Sequence, residues 1–270
     1  MNTKRSRLYV VMGPLLGILA LVLYAMTLSR GAYPGESAAY MVTELGLNPL
    51  GFSGHLIWSW VVSLVASLPI GSVSTRLNIL SAVCAAGAIG LFFRILADVV
   101  WAVIPVTDLN VRAANRASLL AGVVGSVALM GAIPFWYAAN RFHPASFDVL
   151  LLFILAKLLM TFIRRAPVWA GLVFAFLYGA VAVDFATLVI FGPLVLVGLL
   201  YALWINGDLR WGRVLPLAGC LLAGMLFYVP AAWHLQGSET FQLSQGGGFW
   251  PALLFVLKGC LLYTSDAADE

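Results

Sequence analysis

The sequence predicts an all-α fold, a polytopic transmembrane helix bundle, and three observations carry that expectation. Hydrophobic residues make up 62% of the 270-residue chain and charged residues 10%, whereas a soluble domain is roughly one quarter charged. Apolar runs of about 20 residues, the length a bilayer requires, recur along the chain. Basic residues fall in small groups between those runs. A net charge of +4 distributed in this way fits basic inside loops, not a nucleic-acid patch. Membrane lipids are therefore expected partners and nucleic acid is not.

The elements follow in order. Lys4, Arg5 and Arg7 precede an apolar run over 8–28. A signal peptide has a shorter apolar core and a small-x-small cleavage site, so this run reads as an uncleaved first span. Further spans are expected over 78–98, 117–138, 146–163, 168–183, 186–204 and 213–233, with another beginning at 250. Residues 54–69, GHLIWSWVVSLVASLP, are too short for a crossing. Read as a helix, they place His55, Ser59, Ser63 and Ser67 in one polar stripe, which suits a helix lying at the membrane interface or packed on the bundle.

Charge fixes the expected sides. If 54–69 does not cross, Lys4, Arg5, Arg7, Arg94, Arg112, Arg116, Arg164, Arg165, Arg210 and Arg213 lie on one side and Arg30, Arg76 and Arg141 on the other. If it crosses, the first side holds Lys4, Arg5, Arg7, Arg76 and Arg141 instead and becomes the poorer one. Lys and Arg favour cytoplasmic loops. The N-terminus is therefore expected in the cytoplasm, with 29–77 forming an outer-face juxtamembrane loop. Residues 139–145, the turn near Asp184 and 234–249 share that outer face, and Asp184 is expected at the water edge.

Within the outer loop, RGAYPGESAAYMVTELGLNP (30–49) suggests a short amphipathic helix over 36–46. Glu36, Tyr40, Thr43 and Glu44 would share one side, and Ala38, Met41, Val42 and Leu45 the other. Lys157 is placed to snorkel toward the inner surface. Cys84 and Cys220 lie inside apolar segments, and no CxxC or Cys/His cluster points to zinc. No Ser/His/Asp or HExxH pattern is legible. The glycine triplet before Phe249 and Trp250 follows no strand, so a phosphate loop is not supported. The final CLLYTSDAADE matches the in-frame translation of a sequencing-library adapter. Residues 260–270 are expected to be a library scar, leaving 1–259 as a transmembrane domain incomplete at its C-terminus.

Three stretches together resemble one family: PGES after the first span, LPIGSVSTRLNILSAVCAAGAIGLFFRIL (68–96) and GAIPFWYAANRFHPASFDVLLLFIL (131–155). They look like the GT-C-type membrane proteins of a large bacterial family of unknown function, related to eukaryotic transmembrane O-mannosyltransferases. The resemblance covers roughly 8–165, and LPIGSVSTRLNILSA is its most specific piece. It implies a GT-C-type helix bundle in the bacterial inner membrane that transfers a sugar from a polyprenyl-phosphate donor to a protein or glycan acceptor on the outer face. The family's first outer loop carries Asp-x-Gly-Glu. Gly35 and Glu36 match, and Tyr33 stands at the Asp position. Its His-Pro-Pro-Gly falls on Asn48-Pro49-Leu50-Gly51, with His55 as a displaced alternative. Its later Phe-Trp matches Phe135-Trp136, its Glu falls on His143, its Tyr on Ala145, and Asp148 stands where Asn is frequent. With Tyr33 at the Asp position, the chain is either a diverged enzyme using Glu36 or an inactive relative; the first is preferred.

The chemistry of such a transfer selects residues. A base must reach the acceptor hydroxyl, and Glu36 and Asp148 are the catalytic candidates. The departing phosphate needs cations or donors: Arg76, Arg141 and His143. Tyr33, Glu44, Asn48 and His55 complete the loop candidates. A divalent Mg or Mn ion suits carboxylates, so one is admitted as a cofactor without being required. The competing readings are a transporter or flippase of lipid-linked glycans and a catalytically inactive membrane scaffold. Transporters often show internal repeats and acids deep in their spans; no repeat is evident and such acids are few.

Overall fold

The computed structural model describes residues 8–47, 55–105, 110–165, 167–184, 187–237, 241–242 and 247–256. Asn48, the N-terminal basic cluster and the expected scar lie outside them. Every regular element among the described residues is α-helical: α1 (Leu8–Met26), α2 (Glu36–Glu44), α3 (Leu56–Ala66), α4 (Val73–Val103), α5 (Val111–Gly131), α6 (Ile133–Asn140), α7 (Ala145–Arg165), α8 (Val168–Val181), α9 (Thr187–Ile205), α10 (Trp211–Met225) and α11 (Tyr228–Gln236). Five segments are long and apolar enough to cross a membrane: Leu8–Met26, Val73–Val103, Val111–Gly131, Ala145–Arg164 and Trp211–Gln236. The chain is thus a multi-pass helical membrane protein.

Several boundaries differ from the hydropathy reading, each for a backbone reason. The expected span 117–138 ends at Gly131, and 133–140 is a separate helix. Pro134 sits in the first turn of α6, where a missing N–H costs nothing. Continued through that point, α5 would lose a hydrogen bond and meet the proline ring. The span expected over 78–98 runs from Val73 to Val103. Ser72 caps its start, its Oγ accepting from the Thr75 N–H, and Ile104 before Pro105 turns extended at its end. The expected span 168–183 is a 14-residue helix. At about 1.5 Å per residue it falls short of a bilayer core roughly 30 Å thick. The expected span 213–233 is broken into α10 and α11 at Leu226–Phe227, because Pro230 cannot donate to the Leu226 carbonyl.

The chain divides into two compact units. One comprises residues up to Met41 with 64–154, the other 42–63 with the chain from Leu155 onward. In the first, α1 and α4 cross with their backbones nearly touching. A Cβ at Gly90 would lie 2.9 Å from the Gly13 carbonyl oxygen, and one at Gly17 would lie 3.1 Å from that of Ala86. Small residues at a crossing permit this approach inside a membrane. The other side of α4 seats Phe93 over Gly122 of α5. Tyr24, fully buried, donates to the Met130 carbonyl at the end of α5. Hydropathy gives no sign of the role of Asp98, which is buried in α4 and accepts a 2.9 Å bond from Tyr9 of α1.

In the second unit, α8 and α10 pack through Gly179 and Gly224. Along α9, Leu194, Val197 and Tyr201 are exposed. Asp184 is buried within the protein, 5% exposed. Its carboxylate accepts the N–H groups of Ile57 (2.8 Å) and Trp58 (3.1 Å) at the start of α3. It therefore caps a helix far away in sequence, satisfying donors the helix cannot. Burial raises its pKa to about 6 against those hydrogen bonds, with Glu44 adding to the rise. A raised folded-state pKa contributes stability fully present below the unfolded value and lost as pH rises through about 6. The shift corresponds to of order 3 kcal/mol. Stability is therefore expected to fall between about pH 4 and about pH 7, and Asp184→Asn to flatten that slope. Thermal unfolding in detergent across this range checks it; an unchanged slope in the variant would refute the assignment.

Candidate functional site

The site is built in the first unit where the ends of α1 and α6 meet the start of α7. Two loop segments carry it. Residues 27–35 leave α1, and 141–144 join α6 to α7. A face of α4 holds both. Asn78, fully buried, donates from Nδ2 to the carbonyls of Ser29 (2.7 Å) and Gly31 (3.0 Å). Its Oδ1 accepts the Phe142 N–H at 2.8 Å. One helical turn along the same face, Ser81 accepts the His143 N–H at 3.1 Å. The loops are also joined directly, Ser29 N–H donating to the Asn140 carbonyl at 3.1 Å.

Between these loops and α5 lies a pocket of about 440 Å³ whose walls include Ser29, Tyr33, Trp136, Tyr137, Asn140 and Arg141. The Arg141 guanidinium carbon sits 3.2 Å from the centre of the Tyr33 ring and 3.9 Å from that of Tyr137. The two rings meet at 78°, so the cation occupies a corner of aromatic faces. Cation–π attraction holds it there while its N–H groups keep no oxygen partner among the described residues.

The α2 helix brings in Glu36. Gly35 at φ 98° turns the chain into the helix, a conformation glycine enters freely. The helix closes at Gly46 (φ 68°), with Leu47 N–H bonding the Val42 carbonyl and Gly46 N–H bonding that of Thr43. This is a Schellman cap, and it ends the helix at Glu44, short of the expected limit at 46. Ser37 and Met41 form its buried stripe. Val42, expected on that side, is 40% exposed.

Glu36 projects toward His143, with Oε2 3.8 Å from Nε2. His143 Nδ1 accepts the Ala145 N–H at 3.0 Å, so the neutral ring carries its proton on Nε2, facing Glu36. Burial lowers the His143 pKa, opposed by the negative charge of Glu36. The ring meets Tyr40 edge-on, centroids 5.0 Å apart. At 3.8 Å the two side chains stand at ion-pair range, longer than a hydrogen bond.

The structure brings Tyr33 to Arg141 and Glu36 to His143. Arg76, in the first turn of α4, has its Nε buried with no hydrogen-bond partner among the described residues and joins none of the others. Asp148 is in the first turn of α7. Glu44 accepts a 2.6 Å bond from Ser59, and Ser59 also bonds the His55 carbonyl, all in the second unit. No cluster of three or more metal-type side chains occurs among the described residues. A hard divalent ion needs several oxygen ligands, and one carboxylate beside one imidazole does not provide them. Sequence reasoning does not single out Asn78, Ser81, Tyr137 or Asn140. Two polar residues one turn apart inside an apolar span, Asn78 and Ser81, are the available signal.

Comparison with protein-family models, with curated proteins and with solved structures finds no match to this chain.

Proposed function

We propose that this chain is a GT-C-type membrane glycosyltransferase, moving a sugar from a polyprenyl-phosphate donor to a protein or glycan hydroxyl at the outer face of a bacterial inner membrane, with the N-terminus cytoplasmic. The observation that supports this reading most is the Glu36–His143 pair, which follows the Tyr33–Arg141 pair closely in sequence on both sides. Glu36 is the base. It takes the proton of the acceptor hydroxyl as the oxygen attacks the anomeric carbon, and the sugar–phosphate bond breaks with its electron pair leaving on the phosphate. His143, its Nε2 3.8 Å from Glu36 Oε2, orients the carboxylate electrostatically. Arg141 supplies the cation for the departing phosphate.

Membranes carrying Glu36→Gln are expected to lose transfer from a radiolabelled polyprenyl-phosphate sugar by about 10²-fold or more while inserting normally. His143→Ala should lower the rate less and move its acidic pH limb. Undiminished transfer by Glu36→Gln would remove it as the base. Movement of donor across the membrane without glycosidic product would favour a flippase, and absence of both a scaffold.

A further inference from the structure

We propose that the pocket walled by Trp136, Asn140 and Arg141 binds a phosphate ester bearing a neighbouring hydroxyl, the phosphate on Arg141 and the hydroxyl on Asn140. This rests on the reading above only for the role of Arg141, and it requires no transfer step. Two unfilled valences on adjacent residues carry it. The guanidinium of Arg141 lies against the Tyr33 and Tyr137 rings, and no carboxylate among the described residues pairs with it. An arginine held by its faces still presents its in-plane N–H groups, which suit two oxygens of one anion. Asn140 is only 6% exposed, lines the pocket, and its Oδ1 accepts no hydrogen bond among the described residues. A buried acceptor without a donor calls for an explanation, and a ligand hydroxyl provides one.

The remaining walls agree. Trp136 stands one turn before Asn140 on α6 and offers an aromatic face to a C–H-rich polyol. Thr27, at the end of α1, and Gly131, at the end of α5, also border the pocket. It therefore lies where two apolar helices stop, the level at which phosphate esters are the abundant anions of a bilayer. Its volume of about 440 Å³ lies in the range of small-ligand sites.

The full chain in detergent is titrated with sn-glycerol 3-phosphate, inorganic phosphate and glycerol, read by tryptophan fluorescence. In parallel, nanodiscs of phosphatidylglycerol or of phosphatidylcholine, which lacks the hydroxyl, report a lipid source. Saturable binding of glycerol phosphate, weakened about tenfold by Arg141→Gln and by Asn140→Leu, supports a soluble ligand. The same pattern confined to phosphatidylglycerol over phosphatidylcholine supports a headgroup. Arg141→Lys, which keeps the charge without the fork, should bind more weakly than the parent but more tightly than Arg141→Gln, and unchanged thermal unfolding of both variants shows that the loss is not misfolding. Glu36→Gln should bind as the parent does, so failure of transfer and failure of binding are distinguished. Equal binding by Arg141→Gln, or no preference for glycerol phosphate over inorganic phosphate together with none between the two lipids, overturns the proposal.

Discussion

Replacing Asn78 with alanine is expected to cost about 2–4 kcal/mol and to lower the unfolding midpoint by roughly 5–12 °C. Its carboxamide joins three backbone groups from two loops: the carbonyls of Ser29 and Gly31 and the N–H of Phe142. Phe142 is itself fully buried, so water cannot replace the lost acceptor freely. The Gly31 carbonyl retains the Ser29 hydroxyl at 3.0 Å, so most of the loss falls on Phe142 and Ser29. Asn78→Asp should be no milder. It keeps an acceptor for Phe142 but turns an oxygen toward two carbonyl oxygens. Because the same loops carry Tyr33, Arg141 and His143, both variants should also loosen the pocket, seen as faster modification of a cysteine placed at Tyr33. A midpoint for Asn78→Ala within about 1 °C of the parent would mean the clamp does not hold the loops.

Gly224→Ala is expected to have an effect of similar size, about 3 kcal/mol, through a different mechanism. A Cβ there would overlap the Phe176 carbonyl oxygen and lie 2.8 Å from the Ala180 nitrogen. Both are backbone atoms of α8, so no rotamer change relieves the clash and the helices must separate. Gly179 faces the same constraint from α10, where its Cβ would meet the Leu221 carbonyl. Gly219 lies on α10 as well, but nothing stands within 4 Å of its Cβ. Gly219→Ala should therefore be neutral or stabilising by up to about 1 kcal/mol through helix propensity alone. Thermal unfolding of the two variants side by side decides the matter. Equal midpoints would show that the α8–α10 contact does not depend on the glycine.

Part of the candidate site is legible before the fold. The α2 helix is announced by the amphipathic pattern over 36–46, and Glu36, Arg141 and His143 stand out as rare polar residues between apolar runs. Their pairing is not legible. In the sequence Tyr33 reads as a lost acid; in the folded chain its ring is a face for Arg141. Glu44, close to Glu36 in the chain, belongs to the other compact unit. Asp184 reads as a surface acid because its partners, Ile57 and Trp58, lie 127 and 126 residues away in the chain.

What the sequence determined by itself is the class: apolar composition and run length require helices whose backbone groups are satisfied within each segment. Hydropathy, however, registers how oily a residue is and not whether its backbone can donate. It reads through Pro134 and Pro230, where the helices break. Only the tertiary structure decided which lone polar groups meet. Hydrogen bonds act over about 3 Å, and the bonds made by Asn78, Asp184 and His143, like the placing of Arg141 between two rings, come from segments that only helix packing brings to that distance.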